Sequence, residues 1–114
     1  MNKLYSTEKI MVYVGNDEIQ CAEMIDLFLE TIPSEFEKLE EAILHKSWKK
    51  AYEISHRIKP SIQILKIKNT TKKFKELDAK LHQKIELESI NGLFIDIQKN
   101  INLAFDQIRE DYSR

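Results

Sequence analysis

A helical repeat of apolar residues runs through the last part of this 114-residue chain and limits its fold more than any other feature. The repeat passes without a break across Asn91 and Gly92, a pair that elsewhere favours a turn. Its members are Ile90, Leu93, Phe94, Ile97, Ile101, Ala104, Phe105, Ile108 and Tyr112. Because positions three and four apart share one face of a helix, the repeat predicts a final helix of about 23 residues.

Apolar residues keep helical spacing in the earlier segments as well. Asp17 is the predicted N-cap of a helix over residues 17–32, and Pro33 is predicted to end that helix. Three more helices are predicted before the final one. The first opens at Ser34, the second spans residues 47–65, and the third begins near residues 68–70. A short apolar segment around Ile10, Met11 and Val14 precedes all of them.

The chain contains only 2 glycines and 2 prolines, which favours long helices over many short strands. Hydrophobic residues make up 42% and charged residues 32%, as in ordinary globular proteins. The predicted fold is all-α: an antiparallel four-helix bundle with an additional short N-terminal helix, in one domain over residues 1–114.

Neither the first residues nor the apolar runs of the sequence suggest export or membrane insertion. The first residues lack the apolar region of a signal peptide, and no apolar run approaches the roughly 20 residues of a membrane span. Cys21 is the single cysteine, and its position among helical residues predicts a buried thiol. We therefore expect a cytoplasmic protein with no membrane partner.

Charge is unevenly distributed although the net charge is only −1. Residues 46–84 contain 12 basic and 3 acidic side chains, whereas residues 1–45 contain 3 basic and 10 acidic ones. The basic middle segment favours an anionic partner or group. Nucleic acid is one candidate partner for the lysine run, but the near-neutral total charge and the lack of a recognition motif argue against it. That run comprises Lys66, Lys68, Lys72, Lys73 and Lys75.

His56 faces away from the apolar stripe of its predicted helix. At about 100° per residue, the stripe lies between about 160° and 240° from His56. The stripe comprises Ala51, Ile54, Ile58, Ile62 and Leu65. The side chains predicted to share the solvent-facing side with His56, within about 60° of it, are Lys49, Tyr52, Lys59, Pro60 and Gln63. The sequence therefore predicts an exposed imidazole with a lysine one turn later.

An exposed imidazole beside a lysine suits one chemistry better than others. A histidine is a nitrogen nucleophile near neutral pH, and Lys59 and Arg57 can pair with the negative charge of an added phosphoryl group. No further ligand lies at i+3 or i+4 to complete a metal site with His56. Neither a serine-protease arrangement nor a glycine-rich phosphate loop is present, so we expect no ATP site of a familiar kind.

The sequence "HRIKPS", residues 56–61, resembles the phosphorylation motif of the histidine-containing phosphotransfer (HPt) domain. In that family a phosphorylated histidine is followed after two residues by lysine, then by a small residue, usually glycine. "GNDEIQCAEMIDLFLETIPSEFEKLEEAI" is similar to the first two bundle helices of the family, and "KSWKKAYEISHRIKP" to the approach to the histidine. The likeness covers nearly the whole chain, and Pro60 departs from the usual glycine.

The resemblance implies a role for each matching residue. His56 would carry the phosphoryl group, Lys59 would stabilise it, and Arg57, Pro60 and Ser61 would form the surface that a partner approaches. The candidates for holding the other ring nitrogen are Gln63 and Asp78. The implied partners are a response-regulator receiver domain, which would supply Mg²⁺, or a hybrid histidine kinase, or both.

Other readings of the same sequence are a passive helical interaction module that docks through residues 46–84, and the nucleic-acid binder described above. We expect a monomer that holds no cofactor of its own. A free-standing protein and a domain of a larger hybrid kinase both fit the sequence.

Overall fold

The computed structural model describes residues 3–112 and is helical, with no strand among those residues. The all-α class is therefore confirmed. The helices are α1 (Glu8–Tyr13), α2 (Glu18–Leu44), α3 (Trp48–Ile64), α4 (Thr71–Gln83) and α5 (Ile90–Asp111), with a single 3-10 turn at Leu87–Ser89.

Pro33 does not end a helix, so the predicted break at residues 32–34 is wrong. A single 27-residue helix, α2, passes through it. The buried residues on either side explain this, because Ile25 and Ile32 share one helical face with Phe36 and Leu39. A break at Pro33 would turn one half of that face away from the core. The packing of this continuous face outweighs the backbone hydrogen bond that proline removes.

Most of the other predicted boundaries are confirmed. The Asp17 carboxylate accepts hydrogen bonds from the backbone N–H groups of Ile19 and Gln20, at 2.9 and 3.1 Å, as expected of an N-cap. Helix α5 includes Asn91 and Gly92 and begins at Ile90. Ser47 occupies the N-cap position of α3, but its side chain makes no capping hydrogen bond.

The four long helices pack around one apolar core. Helix α2 contacts α3, α3 contacts α4, α4 contacts α5, and α5 contacts α2. The core draws buried residues from all five helices, and the Cys21 thiol is buried as expected. This packing holds α3 between α2 and α4, which decides what surrounds its exposed face.

The N-terminal segment is fastened where α3 and α5 end. The Ser6 N–H donates to the Leu65 carbonyl at 2.7 Å, and the Lys68 N–H donates to the Leu4 carbonyl at 2.8 Å. The Tyr5 hydroxyl donates to the Asp111 carboxylate at 2.7 Å. Burial and this hydrogen bond raise the pKa of Tyr5 well above its ordinary value.

None of the helices within residues 3–112 combines the length and the apolar character that crossing a membrane requires.

Candidate functional site

His56 lies in the middle of α3 with its side chain 60% exposed. The predicted apolar stripe on the opposite face is buried, each of its members being at most 3% exposed. Those residues hold α3 against the core and leave the imidazole on the outer surface. The predicted orientation of His56 is confirmed.

Asp78 of α4 is a buried carboxylate directly beside this exposed imidazole. The residue is only 8% exposed. Its Oδ1 accepts from the Ser55 hydroxyl at 3.1 Å, and its Oδ2 accepts from the Lys59 ammonium at 3.1 Å. The same Oδ2 lies 3.7 Å from Nδ1 of His56. This separation is too long for a direct hydrogen bond but close enough for electrostatic attraction to a ring N–H.

Asp78 and Gln63 were both candidates for orienting the imidazole, and the structure brings Asp78 to the ring. Gln63 is half-buried near the end of α3, and within residues 3–112 no hydrogen bond joins its side chain to His56. Asp78 approaches because α4 packs along the side of α3 that carries Ser55 and Lys59, two residues one turn apart.

Lys59 differs from the prediction of a solvent-facing side chain. Only 25% of the side chain is exposed, and its ammonium is paired with Asp78. The physical reason is the neighbouring helix: helical phase places Lys59 near His56, but α4 covers that edge of the surface. Its aliphatic part can pack against α4 while the charge meets the only carboxylate within reach in the described part of the site.

Arg57 is exposed, yet its guanidinium points to α2 and pairs with the Glu35 carboxylate. The hydrogen bond from Arg57 holds the pKa of Glu35 below its ordinary value. Pro60 is exposed and Ser61 is half-buried, so neither of these two positions carries a long side chain. Helix α3 continues through Pro60 to Ile64.

Two aromatic rings join this site without a role predicted from the sequence: Tyr52, which contacts His56, and His82, which contacts Tyr52. The Tyr52 ring is stacked against the His56 ring, with centroids 5.5 Å apart and planes 25° apart. On α4, the His82 ring lies 4.8 Å from the Tyr52 centroid. Tyr52 lies four residues before His56, and this spacing predicts contact between their side chains on a helix. The approach of His82 depends on how α3 and α4 pack, which the spacing does not indicate.

The remaining candidates lie apart from this cluster. His45 is the C-cap of α2, where its Nδ1 lies 2.9 Å from the Glu41 carbonyl oxygen. In the lysine run, the Lys66 ammonium lies 3.7 Å from the Glu8 carboxylate. Over the described range 3–112, no three or more His, Cys, Asp or Glu side chains are grouped so that they could hold a metal ion.

Comparison with protein-family models, with curated proteins and with solved structures finds no significant match to this chain. An exposed imidazole has one nitrogen facing a buried carboxylate and the other edge free. Such a ring can accept an electrophilic group at the free nitrogen, with a lysine ammonium close by.

Proposed function

We propose that the chain is a phosphocarrier of the HPt type, in which His56 carries a phosphoryl group between receiver domains of a two-component phosphorelay. The observation that carries the proposal is the arrangement of three groups: an exposed His56, the Asp78 carboxylate at its Nδ1, and the Lys59 ammonium on the same carboxylate. The motif in residues 56–61 and the order of the helices support it.

The carboxylate suits the imidazole for nucleophilic attack. A negative charge 3.7 Å from Nδ1 favours the tautomer with its proton on Nδ1, which leaves the lone pair on Nε2. In the proposed step this lone pair attacks the phosphorus of an aspartyl phosphate on the receiver. A new N–P bond forms, the acyl P–O bond breaks, and the receiver carboxylate leaves with the bonding electrons.

The product places opposite charges where the site can accommodate them. The phosphorylated ring keeps its Nδ1 proton and a positive charge, which faces Asp78. The phosphoryl oxygens are negative, and the Lys59 ammonium, which shares the Asp78 carboxylate with His56, is a cation that can pair with them. Transfer to a second receiver is the same step reversed, so the chain needs no ATP site of its own.

The surface around His56 fits the approach of a second protein. Pro60 is exposed and Ser61 is half-buried, and neither has a long side chain that could shield the ring. The Mg²⁺ that phosphoryl transfer requires is expected on the receiver, which would present its own carboxylates. The contacts of α2, α3, α4 and α5 fit an antiparallel four-helix bundle with α1 as the additional N-terminal helix. We place such a carrier in the cytoplasm as a monomer.

A phosphotransfer assay tests the proposal. The chain is incubated with a receiver domain that has been phosphorylated on aspartate, and label that is labile in acid and stable in alkali is measured. We expect labelling of the wild type and of His45→Gln, and none of His56→Gln. His45 is the matched control because it is also exposed but lies at the end of α2. Labelling of His56→Gln at the wild-type level would refute the assignment of His56 as the phosphorylated residue. Absence of labelling in the wild type would favour the alternative of a passive interaction module.

A further inference from the structure

We infer that Tyr52 is a positioning residue for His56, held in place by His82, and that it sets the plane of the imidazole for attack. This inference rests on the proposed function because it concerns the same nucleophile. It adds two residues, neither of which belongs to the motif in residues 56–61. The evidence is the row of three rings that runs from α3 to α4.

The helix itself brings Tyr52 to His56. Side chains on a helix lean towards its N-terminus, so a residue lies over the one four positions before it. His56 therefore leans over Tyr52, and the planes of the two rings differ by only 25°. An imidazole has two soft side-chain torsions, and contact with an aromatic face restricts both.

Tyr52 can restrain His56 only if its own ring is held. Tyr52 is half-buried and packs against the core. The His82 ring contacts it from the last turn of α4, with the centroids 4.8 Å apart. The His56 contact comes from α3 and the His82 contact from α4, so the position of the Tyr52 ring depends on both helices.

Tyr52 and Asp78 then constrain His56 in complementary ways. The stack restricts the plane of the ring, and the carboxylate attracts the Nδ1 edge. With one face and one edge occupied, the edge that carries Nε2 is the part left for a partner. Neither contact alone defines the direction of the Nε2 lone pair, whereas together they do.

The test uses phosphoramidate, a small phosphoryl donor that needs no partner protein. Its P–N bond breaks as Nε2 of His56 attacks phosphorus, and ammonia leaves with the electron pair. We compare the wild type with Tyr52→Phe, which keeps the ring, and Tyr52→Leu, which keeps apolar volume without the ring. Loss of one aromatic contact should slow phosphorylation roughly threefold to tenfold in Tyr52→Leu. Tyr52→Phe should react at nearly the wild-type rate.

A second readout separates positioning from general stability. The Tyr52 ring current should shift the proton resonances of the His56 imidazole upfield in the wild type and in Tyr52→Phe. The shift should be lost in Tyr52→Leu while the melting temperature of Tyr52→Phe stays close to that of the wild type. Should Tyr52→Leu not fold, His82→Gln at the exposed end of the row replaces it, with an expected slowing of roughly twofold.

The outcomes distinguish this inference from the proposed function. Wild-type rates in the folded Tyr52→Leu variant, or in His82→Gln where Tyr52→Leu does not fold, would overturn the positioning role. Phosphotransfer by the wild-type chain would then still stand. Absence of labelling by a phosphorylated receiver would remove the proposed function. The ring-current shift and the rate with phosphoramidate would still report whether Tyr52 orients His56.

Discussion

Replacing Asp78 by alanine should destabilise the fold more than replacing any exposed aspartate. Asp78 is buried, and its two oxygens accept hydrogen bonds from Ser55 and Lys59. After the substitution, the fully buried Ser55 hydroxyl loses its acceptor in α4. The Lys59 ammonium loses the carboxylate that balances its charge.

The size of the loss can be bounded from the burial of each partner. An unsatisfied buried hydroxyl costs about 1–3 kcal/mol. Breaking a fully buried ion pair costs about 3–5 kcal/mol, but a quarter of the Lys59 side chain is exposed, so its ammonium can turn towards water. We therefore expect a decrease of about 2–3 kcal/mol in the free energy of unfolding. In a domain of this length that corresponds to a decrease of roughly 10 °C in melting temperature.

Urea unfolding followed by far-UV circular dichroism measures this loss. Asp96→Ala is the matched control, since Asp96 is an exposed aspartate within α5. The double variant Asp78→Ala with Lys59→Met should recover part of the stability, because it removes the unpaired charge and keeps apolar contact. If Asp78→Ala costs no more than Asp96→Ala, the buried carboxylate does not stabilise the packing of α3 against α4.

Four further predictions follow from the same contacts. Pro60→Gly should retain phosphotransfer, whereas Pro60→Phe should keep the melting temperature and lose transfer. Transfer by Pro60→Phe at the wild-type rate would contradict the proposal that a short side chain at this position lets a partner reach His56. Arg57→Gln should make stability fall less steeply in acid, because the hydrogen bond from Arg57 lowers the pKa of Glu35 in the fold. The stability that Glu35 contributes is full above its ordinary pKa of 4.5 and is lost as the pH falls through the lowered pKa. Acid unfolding curves that coincide with those of the wild type would refute this. Pro33→Ala should raise stability by roughly 1–2 kcal/mol in urea unfolding, since α2 already continues through this position, and a decrease would show that proline is preferred there. Asp78→Asn should shorten the half-life of the phosphorylated chain, measured by loss of label after the donor is removed, and an equal half-life would count against a charge interaction with the phosphorylated ring.

The sequence was sufficient to predict which face of each helix is buried. The period of the apolar residues placed α5 correctly across Asn91 and Gly92 and put His56 on the outer face of α3. At Pro33 the same period continues, and so does the helix. Ile32 and Phe36 lie four residues apart on one continuous face, and that continuity outweighed the local preference of proline.

The partners of the site could be predicted only in part, because they depend on contacts between helices. Asp78 was one of two candidates for the imidazole, and helical phase on α3 could not decide between it and Gln63. The burial of Lys59 and the position of His82 depend on how closely α4 lies along α3. A helical projection describes one helix alone, so a residue near its edge is assigned to solvent even where a neighbouring helix covers it.

The shared oxygen of Asp78 connects the resting site to the proposed phosphorylated one. Oδ2 lies 3.1 Å from the Lys59 ammonium and 3.7 Å from Nδ1 of His56, so one atom faces both groups. Phosphorylation at Nε2 would make the ring positive and place negative oxygens on its far side. Asp78 would then have a second positive partner at Nδ1, so its ion pair with Lys59 would contribute less to balancing its charge. The Lys59 ammonium could then pair with the phosphoryl group. The electrostatic stabilisation of the buried carboxylate would change little, because one positive partner replaces another at the same oxygen. That is the physical reason for expecting Asp78→Asn to shorten the life of the phosphorylated state: an amide oxygen accepts hydrogen bonds as a carboxylate does, but it cannot balance the charge of the ring.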